Sequence, residues 1–130
     1  MGTIGEDAAV IALRRRGYRM RDRNFRCPLG ELDLIAEYRG VIVFVEVKTR
    51  TTAEFGVPFE AISPRKQMRL TRLATYYLVR RRLLDRPCRF DAVSVVVGPD
   101  GRVQRVEILP DAFVPEPPIR ARSRQRSSPR

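Results

Sequence analysis

The 130-residue chain has no histidine, no tryptophan and only two cysteines. Without histidine, the Ser-His-Asp and Cys-His nucleophile arrangements and the common His-based zinc sites are excluded. Cys27 and Cys88 lie far apart and form no C-x-x-C, which argues against a thiolate metal site. A disulfide between them needs an oxidising compartment. The N-terminal MGTIGEDAA has no basic segment followed by an apolar core, so secretion is not indicated. Gly2 opens the myristoylation pattern, but Glu6 stands where that pattern wants Ser or Thr. No apolar run approaches the roughly 18–20 residues of a membrane span. The expectation is a cytoplasmic protein with reduced cysteines and no membrane partner.

Lysine is scarce as well. Of 26 basic residues, 24 are Arg and only Lys48 and Lys66 are Lys. Arginine stays charged and grips phosphate with a planar fork, whereas burial tunes the pKa of lysine. Each surviving lysine therefore asks for a reason. Acidic residues number 15, leaving a formal net charge of +11. Such an excess predicts a polyanionic partner, nucleic acid before an anionic membrane surface, with solubility alone as the plainer reading. The length suits one domain around one core.

Helical spacing of Ile4, Ala8 and Ile11 predicts a helix over residues 4–16, with Arg14 to Arg16 at its C-terminal end and Gly17 as the stop. A strand is expected over 18–25. After the turn formers at 27–30, residues 31–36 alternate with a period near two, and Arg39-Gly40 makes a turn. Residues 41–48 (VIVFVEVK) form the clearest strand. Residues 49–62, carrying Gly56 and Pro58, read as an irregular loop. Ser63-Pro64 is a helix start, with Ser as N-cap and Pro at the first helical position. That helix is expected to reach about Leu84 and to pack through Leu70, Leu73 and Tyr77, leaving Arg65, Lys66, Arg69 and Arg72 on its other face. Tyr76 and Tyr77 read as packing groups rather than base-stacking ones. Strands over 90–97 and 102–109, joined by a turn at 98–101, complete the order α-β-β-β-α-β-β, a mixed α/β (α+β) single domain. The expected folded domain covers 1–113. The Pro-, Arg- and Ser-rich stretch 114–130, with five Arg against one Glu, is expected to be a disordered basic tail.

Pairing the second and third strands brings chemistry together. If Arg39-Gly40 is a two-residue loop, Tyr38 faces Val41, and the same register sets Asp33 against Glu46 and Glu31 against Lys48. Leu32, Leu34 and Ala36 then meet Val47, Val45 and Val43 on the opposite face, and a one-residue slip would set charges against that apolar row. Arg-Gly is a mediocre type I′ turn, which leaves a slip by two residues open. Facing side chains lie about 4.5–5.5 Å apart, and like charges there destabilise a sheet. Two facing carboxylates among Leu, Ile, Phe and Val are therefore an unfavourable choice for a purely structural hairpin. A divalent cation between them removes the repulsion, and carboxylate oxygens without His or Cys select magnesium, manganese or calcium. Lys48, two residues beyond Glu46 on the same face, is placed to contact a phosphate or activate a water. The other reading is a cross-strand salt-bridge ladder of Glu31, Asp33, Glu46 and Lys48 on a solvated face. Spacing alone does not choose.

Asp33, followed by Glu46-Val47-Lys48 on the next strand, resembles the D…(D/E)-x-K site of the PD-(D/E)-x-K nuclease superfamily, whose fold is restriction-endonuclease-like. The chain is more closely similar to the bacterial YraN-like family, related to archaeal Holliday junction resolvases. The segments that carry this are Gly5-Glu6-Asp7-Ala8-Ala9, Asn24-Phe25-Arg26, Gly30-Glu31-Leu32-Asp33-Leu34-Ile35, Phe44-Val45-Glu46-Val47-Lys48-Thr49-Arg50 and Pro64-Arg65-Lys66-Gln67. The likeness spans roughly residues 4–113, and Leu32 stands where the superfamily name has its proline. The resemblance implies Asp33 and Glu46 as metal ligands, joined by the Val47 carbonyl, with Mg2+ or Mn2+ as cofactor. It implies Lys48 as the group that orients the attacking water and stabilises the developing phosphorane charge. Glu6 from the first helix and Gln67 from the second would complete the site. Glu6 reads equally well as a helix-start carboxylate near the N-terminal dipole. Glu31 is either a site residue or only the partner of Lys48. Arg50, Arg65, Lys66, Arg69 and Arg72 either bind the phosphates flanking the cut or form an ordinary solvated face. Asp91, within Arg89-Phe90-Asp91-Ala92, is placed to pair with a neighbouring Arg and has no chemical role in this reading.

Two functions follow. One is a magnesium-dependent endonuclease acting on branched or structured DNA, with RNA not excluded, and working as the twofold homodimer that resolvase relatives imply. The other is a non-catalytic nucleic-acid-binding module on an endonuclease-like fold. Both predict salt-sensitive DNA binding, and only the first predicts cleavage.

Overall fold

The structure, a computed structural model, describes residues 3–52, 62–115 and 118–119. Its elements are α1 (Thr3–Arg15), β1 (Arg19–Cys27), β2 (Gly30–Tyr38), β3 (Val41–Thr51), α2 (Pro64–Arg80), β4 (Cys88–Val97) and β5 (Val103–Phe113). The strands form one sheet in the order β1-β2-β3-β4-β5. Neighbours are antiparallel except β3 and β4, which run parallel because α2 carries the chain between them. This mixed α+β single domain is consistent with a restriction-endonuclease-like core.

Alternation along the central strands divides their side chains between two helices. Leu34, Ala36, Val43 and Val45 pack with Ala9, Val10 and Leu13 of α1, while Ile35, Ile42 and Phe44 pack with Leu70, Leu73, Tyr77 and Leu78 of α2. The run of Val, Ile and Phe in β3 is apolar on both faces because each is covered. Tyr77 is buried edge-on against Phe25 and Phe44, at 5.0 and 5.8 Å between ring centres, and its hydroxyl donates to Asp22 at 2.6 Å. Cys27 and Cys88 pack as small apolar groups against the same cluster. Among the described residues, no helix is long and apolar enough to cross a membrane.

Several expected boundaries shift, each for a local reason. The start of α2 is the expected one: Ser63 Oγ accepts from the Lys66 N–H at 3.2 Å, and Pro64 opens the helix. Its end is Arg80, not Leu84. Arg82 has a φ of 59°, and the N–H groups of Arg82 and Leu83 donate back to the Val79 and Leu78 carbonyls at 3.2 and 2.8 Å. This Schellman turn folds Leu83 and Leu84 onto the α2 cluster. β3 continues to Thr51, into the expected loop, of which residues 53–61 lie outside the described residues. Ile119 is buried in the same cluster as Leu70 and Phe113, so packing passes residue 113. Of the expected tail, residues 116–117 and 120–130 lie outside the described residues.

α1 turns inward a different face from the one its spacing predicts. Ile4 and Ile11 are 54% and 53% exposed, while Gly5, Ala9, Val10 and Leu13 are buried. Close approach is the cause: a Cβ on Gly5 would meet Thr49 Oγ1 of β3 at 2.0 Å, so glycine alone lets the helix sit here. Ile4, Ala8 and Ile11 instead form one wall of an apolar groove of about 710 Å3, with Val103, Val106 and Ile108 of β5 opposite.

Asp91 acquires a structural role. It is 1% exposed, and its carboxylate accepts from the Tyr18 hydroxyl at 2.8 Å, Arg89 Nε at 3.0 Å and the Asp111 N–H at 3.0 Å. The last bond ties β4 to the stretch of β5 where the register slips between Phe90 and Ala92. Burial, reinforced by the bond to Asp91, pushes Tyr18 up to about 12, so its hydroxyl stays protonated and remains a donor. Asp91→Ala leaves three donors, the Tyr18 hydroxyl, Arg89 Nε and the Asp111 N–H, without their acceptor and is expected to cost about 2–3 kcal/mol, read from the urea midpoint of unfolding. A loss below about 1 kcal/mol, the size of one ordinary hydrogen bond, would show that the network does not hold β5 in place.

Candidate active site

The β2–β3 register is the expected one from Tyr38 opposite Val41 as far as Leu34 opposite Val45. One residue further, where Asp33 and Glu46 would face each other, regular pairing ends. Asp33 Oδ2 instead accepts from the Val47 backbone N–H at 2.8 Å. β1 is irregular at the same level: Asn24, between the pairs Arg23–Leu34 and Phe25–Leu32, has a φ of 53°. Asn tolerates this left-handed backbone better than most residues. Residues two apart in an unbroken strand share a face, yet Leu34 belongs to the α1 cluster and Leu32 to the α2 cluster. The expected common face of Leu32, Leu34 and Ala36 therefore fails at Asp33.

Charge converges on this break from five elements. Burial pushes Asp33 up to about 6, and the negative charges of Glu46 on β3 and Glu6 on α1 push the same way, against the Val47 hydrogen bond and the Lys66 ammonium. Lys66, in the first turn of α2, forms an ion pair with Glu46. Asn24 of β1, its amide oriented by the surrounding acceptors, donates to Glu31 Oε2 of β2 at 3.1 Å and to Glu6 Oε1 at 3.3 Å. Arg23 lies 3.8 Å from Glu6 and 2.8 Å from Asp7. Glu6, Asp33 and Glu46 are thus electrostatically coupled, and Glu31 is joined to them through Asn24.

The remaining predicted residues divide. Lys48 is exposed and, among the described residues, makes no ion pair; Glu31 turns to Arg26 at 3.6 Å instead. The four-residue salt-bridge ladder is therefore not formed, because β2 and β3 part before Glu31 reaches Lys48. Lys66, expected on a phosphate-binding face, lies in the carboxylate cluster. Gln67 donates from its side chain to the Ile62 carbonyl at 2.8 Å, holding the entry to α2. Arg50 donates to Ser94 Oγ of β4 at 3.2 Å. Arg65, Arg69 and Arg72 are exposed on α2. Asn24 and Gly5 matter to the site without having been candidates. Their available signals are an Asn inside a strand and a Gly inside a helix, both costly there unless used. Among the described residues, no three acidic side chains gather closely enough to hold a metal by themselves.

Residues 5–95 match the profile of the uncharacterised protein family UPF0102. The chain belongs to that family. It is 50% identical over 112 residues to a UPF0102 protein of Moorella thermoacetica, covering 86% of this chain and 93% of the relative. A UPF0102 protein of Symbiobacterium thermophilum is 50% identical over 113 residues, covering 87% and 95%. One from Geobacter sulfurreducens is 44% identical over 114 residues, covering 87% and 88%. The UPF0102 match encloses the whole carboxylate cluster, from Glu6 to Lys66, and ends within β4.

The environment of Asp33 dictates a pH dependence. Its folded pKa of about 6 exceeds the ordinary 3.8, so the native state binds the proton more tightly than the unfolded chain. Stability therefore falls as pH rises between those two values. Asp33→Asn keeps an acceptor for the Val47 N–H and removes the charge. It is expected to be more stable than wild type by about 1–2 kcal/mol near pH 8, the gap closing as the pH falls from about 6 to 3.8. Urea titrations across this range measure it. An unaltered pH profile in the variant would remove Asp33 from the coupled cluster.

Proposed function

We propose that this UPF0102 protein is a magnesium-dependent endonuclease that hydrolyses phosphodiester bonds in branched or otherwise structured DNA. The observation that carries the reading is Asp33, half-buried, its charge opposed by both Glu46 and Glu6 at the point where β2 and β3 part. A hard divalent cation relieves that configuration. The donors fit one: the Asp33 and Glu46 carboxylates and the Val47 carbonyl are hard oxygens, and Mg2+ commonly binds through one or two carboxylates while keeping several waters. Mn2+ suits the same set. Bound there, the ion supplies charge to a phosphate oxygen and acidity to a water molecule.

The chain's own residues have separate tasks. The Val47 N–H holds the Asp33 carboxylate in place. Lys48, exposed two residues beyond Glu46, orients the attacking water and offsets charge building on the phosphate. Asn24 fixes Glu6 beside Asp33. Arg65, Arg69 and Arg72 grip the backbone phosphates on either side of the cut, so specificity rests on shape and charge. One observation favours the alternative, a non-catalytic nucleic-acid-binding module: Glu46 already has a cationic partner in Lys66.

Purified protein with Mg2+ or Mn2+ is expected to cut within a panel of linear, nicked, flapped and four-way DNA and matched RNA substrates. Asp33→Ala and Lys48→Ala are each expected to lose about a hundredfold or more in rate, while Arg69→Ala lowers the salt slope of DNA binding by about one phosphate contact. Binding without cutting by wild type, with affinity kept in both site variants, would leave the binding module standing. Cutting that survives both substitutions would overturn the site assignment.

A further inference from the structure

We propose that Lys66 is an internal counter-cation: it occupies Glu46 until a divalent ion displaces it, and cation binding thereby frees an ammonium for the substrate phosphate. The inference rests on the nuclease reading above and names the regulation of that same site. Its first support is the choice of residue. Every other ion pair found among the described residues uses Arg, including the three on Glu37 and those on Asp22, Asp7 and Asp91. Glu46 alone takes a lysine. An Arg fork locks a carboxylate in a fixed planar geometry, whereas lysine is a compact point charge on a flexible stem. Lysine is therefore the side chain that most resembles a bound metal ion and that most easily leaves.

The second support is placement. The Lys66 side chain is 37% exposed and that of Glu46 is 20% exposed, so the stem has solvent into which to swing. Its backbone is held, because the Lys66 N–H is bonded to the Ser63 cap and the neighbouring Gln67 side chain is bonded to Ile62. Only the ammonium end is free to change partner. That ammonium acts on Asp33 as well as on Glu46, the same two carboxylates that a divalent ion would neutralise. Two cations crowded on one pair of carboxylates repel, so entry of the ion expels the ammonium. A phosphodiester arriving at the site is the next anion within its reach.

Calorimetric titration of Ca2+ and Mg2+ into wild type and Lys66→Met tests this, near pH 8 so that Asp33 is ionised in both. With the competitor gone, Lys66→Met is expected to bind about fivefold or more tightly, within the usual range for coupled binding events. Lys66→Arg, which clamps Glu46, is expected to bind more weakly than wild type. Lys66→Gln serves where the Met variant fails to fold. The chain has only two lysines, so 13C reductive methylation, which keeps the charge, gives each its own resonance. Ca2+ is expected to shift the Lys66 signal in wild type. Equal affinities in wild type and Lys66→Met, with binding abolished by Asp33→Asn, or a Lys66 signal that stays put while Ca2+ binds, would overturn the inference alone. Absence of cation binding in both proteins would overturn it together with the nuclease reading.

Discussion

A carboxylate at the last rung of a paired ladder must leave a backbone donor unmade or accept its hydrogen bond itself. Asp33 accepts it, from Val47 at 2.8 Å. With that donor satisfied, β2 and β3 can part without leaving the part-buried Val47 N–H unpaired. The parting redirects what surrounds it. Leu32 goes to the α2 side while Leu34 stays on the α1 side, and Asn24 adopts a left-handed backbone beside them. Glu6 and Lys66 belong to the first turns of their helices, so the positive ends of two helix dipoles are brought to the same cluster. Both dipoles favour the negative charge that Asp33 and Glu46 place there.

Two aspartates of this small domain, Asp91 buried and Asp33 half-buried, differ in how their charge is met. Asp91 has a charged partner in Arg89 and further donors in Tyr18 and the Asp111 backbone. Every group near it is satisfied by its presence, and it stitches a strand irregularity closed. Asp33 has one backbone donor, two carboxylates for neighbours and the Lys66 ammonium as its counter-charge. Low dielectric raises the cost of such crowding, and folding does not relieve it. Stability that a different residue would have contributed is withheld at this one point.

The strand register was legible from residues 31–48 because a one-residue slip would have exposed an entire apolar row. The start of α2 was legible because Ser63 and Pro64 each suit one helical position. Where the ladder stops was not legible, since competition between a side chain and a strand for one N–H leaves no periodic trace. The end of α2 was hidden because Arg82 takes the left-handed position that Gly would have advertised. The scarcity of lysine singled out Lys66, yet its partner lies on another element. Only the crossover from β3 through α2 brings it to Glu46, and no spacing within the helix reports that.

The orientation of α1 carries the same lesson into energetics. Two stripes compete on this helix: Ile4, Ala8 and Ile11 on one side, Gly5, Ala9, Val10 and Leu13 on the other. By burial alone the isoleucines should win, since fully burying one such side chain contributes about 1.5–3 kcal/mol. They remain exposed because the glycine stripe admits a closer approach to β3 than any side chain would permit. At 3.6 residues per turn, rotating the helix to bury Ile4 would swing Glu6 by a similar angle away from Asn24 and Asp33. The exposure of Ile4 and Ile11 leaves the groove beside β5 as the visible consequence of that approach. Helix packing here follows the close approach at Gly5 first and the hydrophobic stripe second.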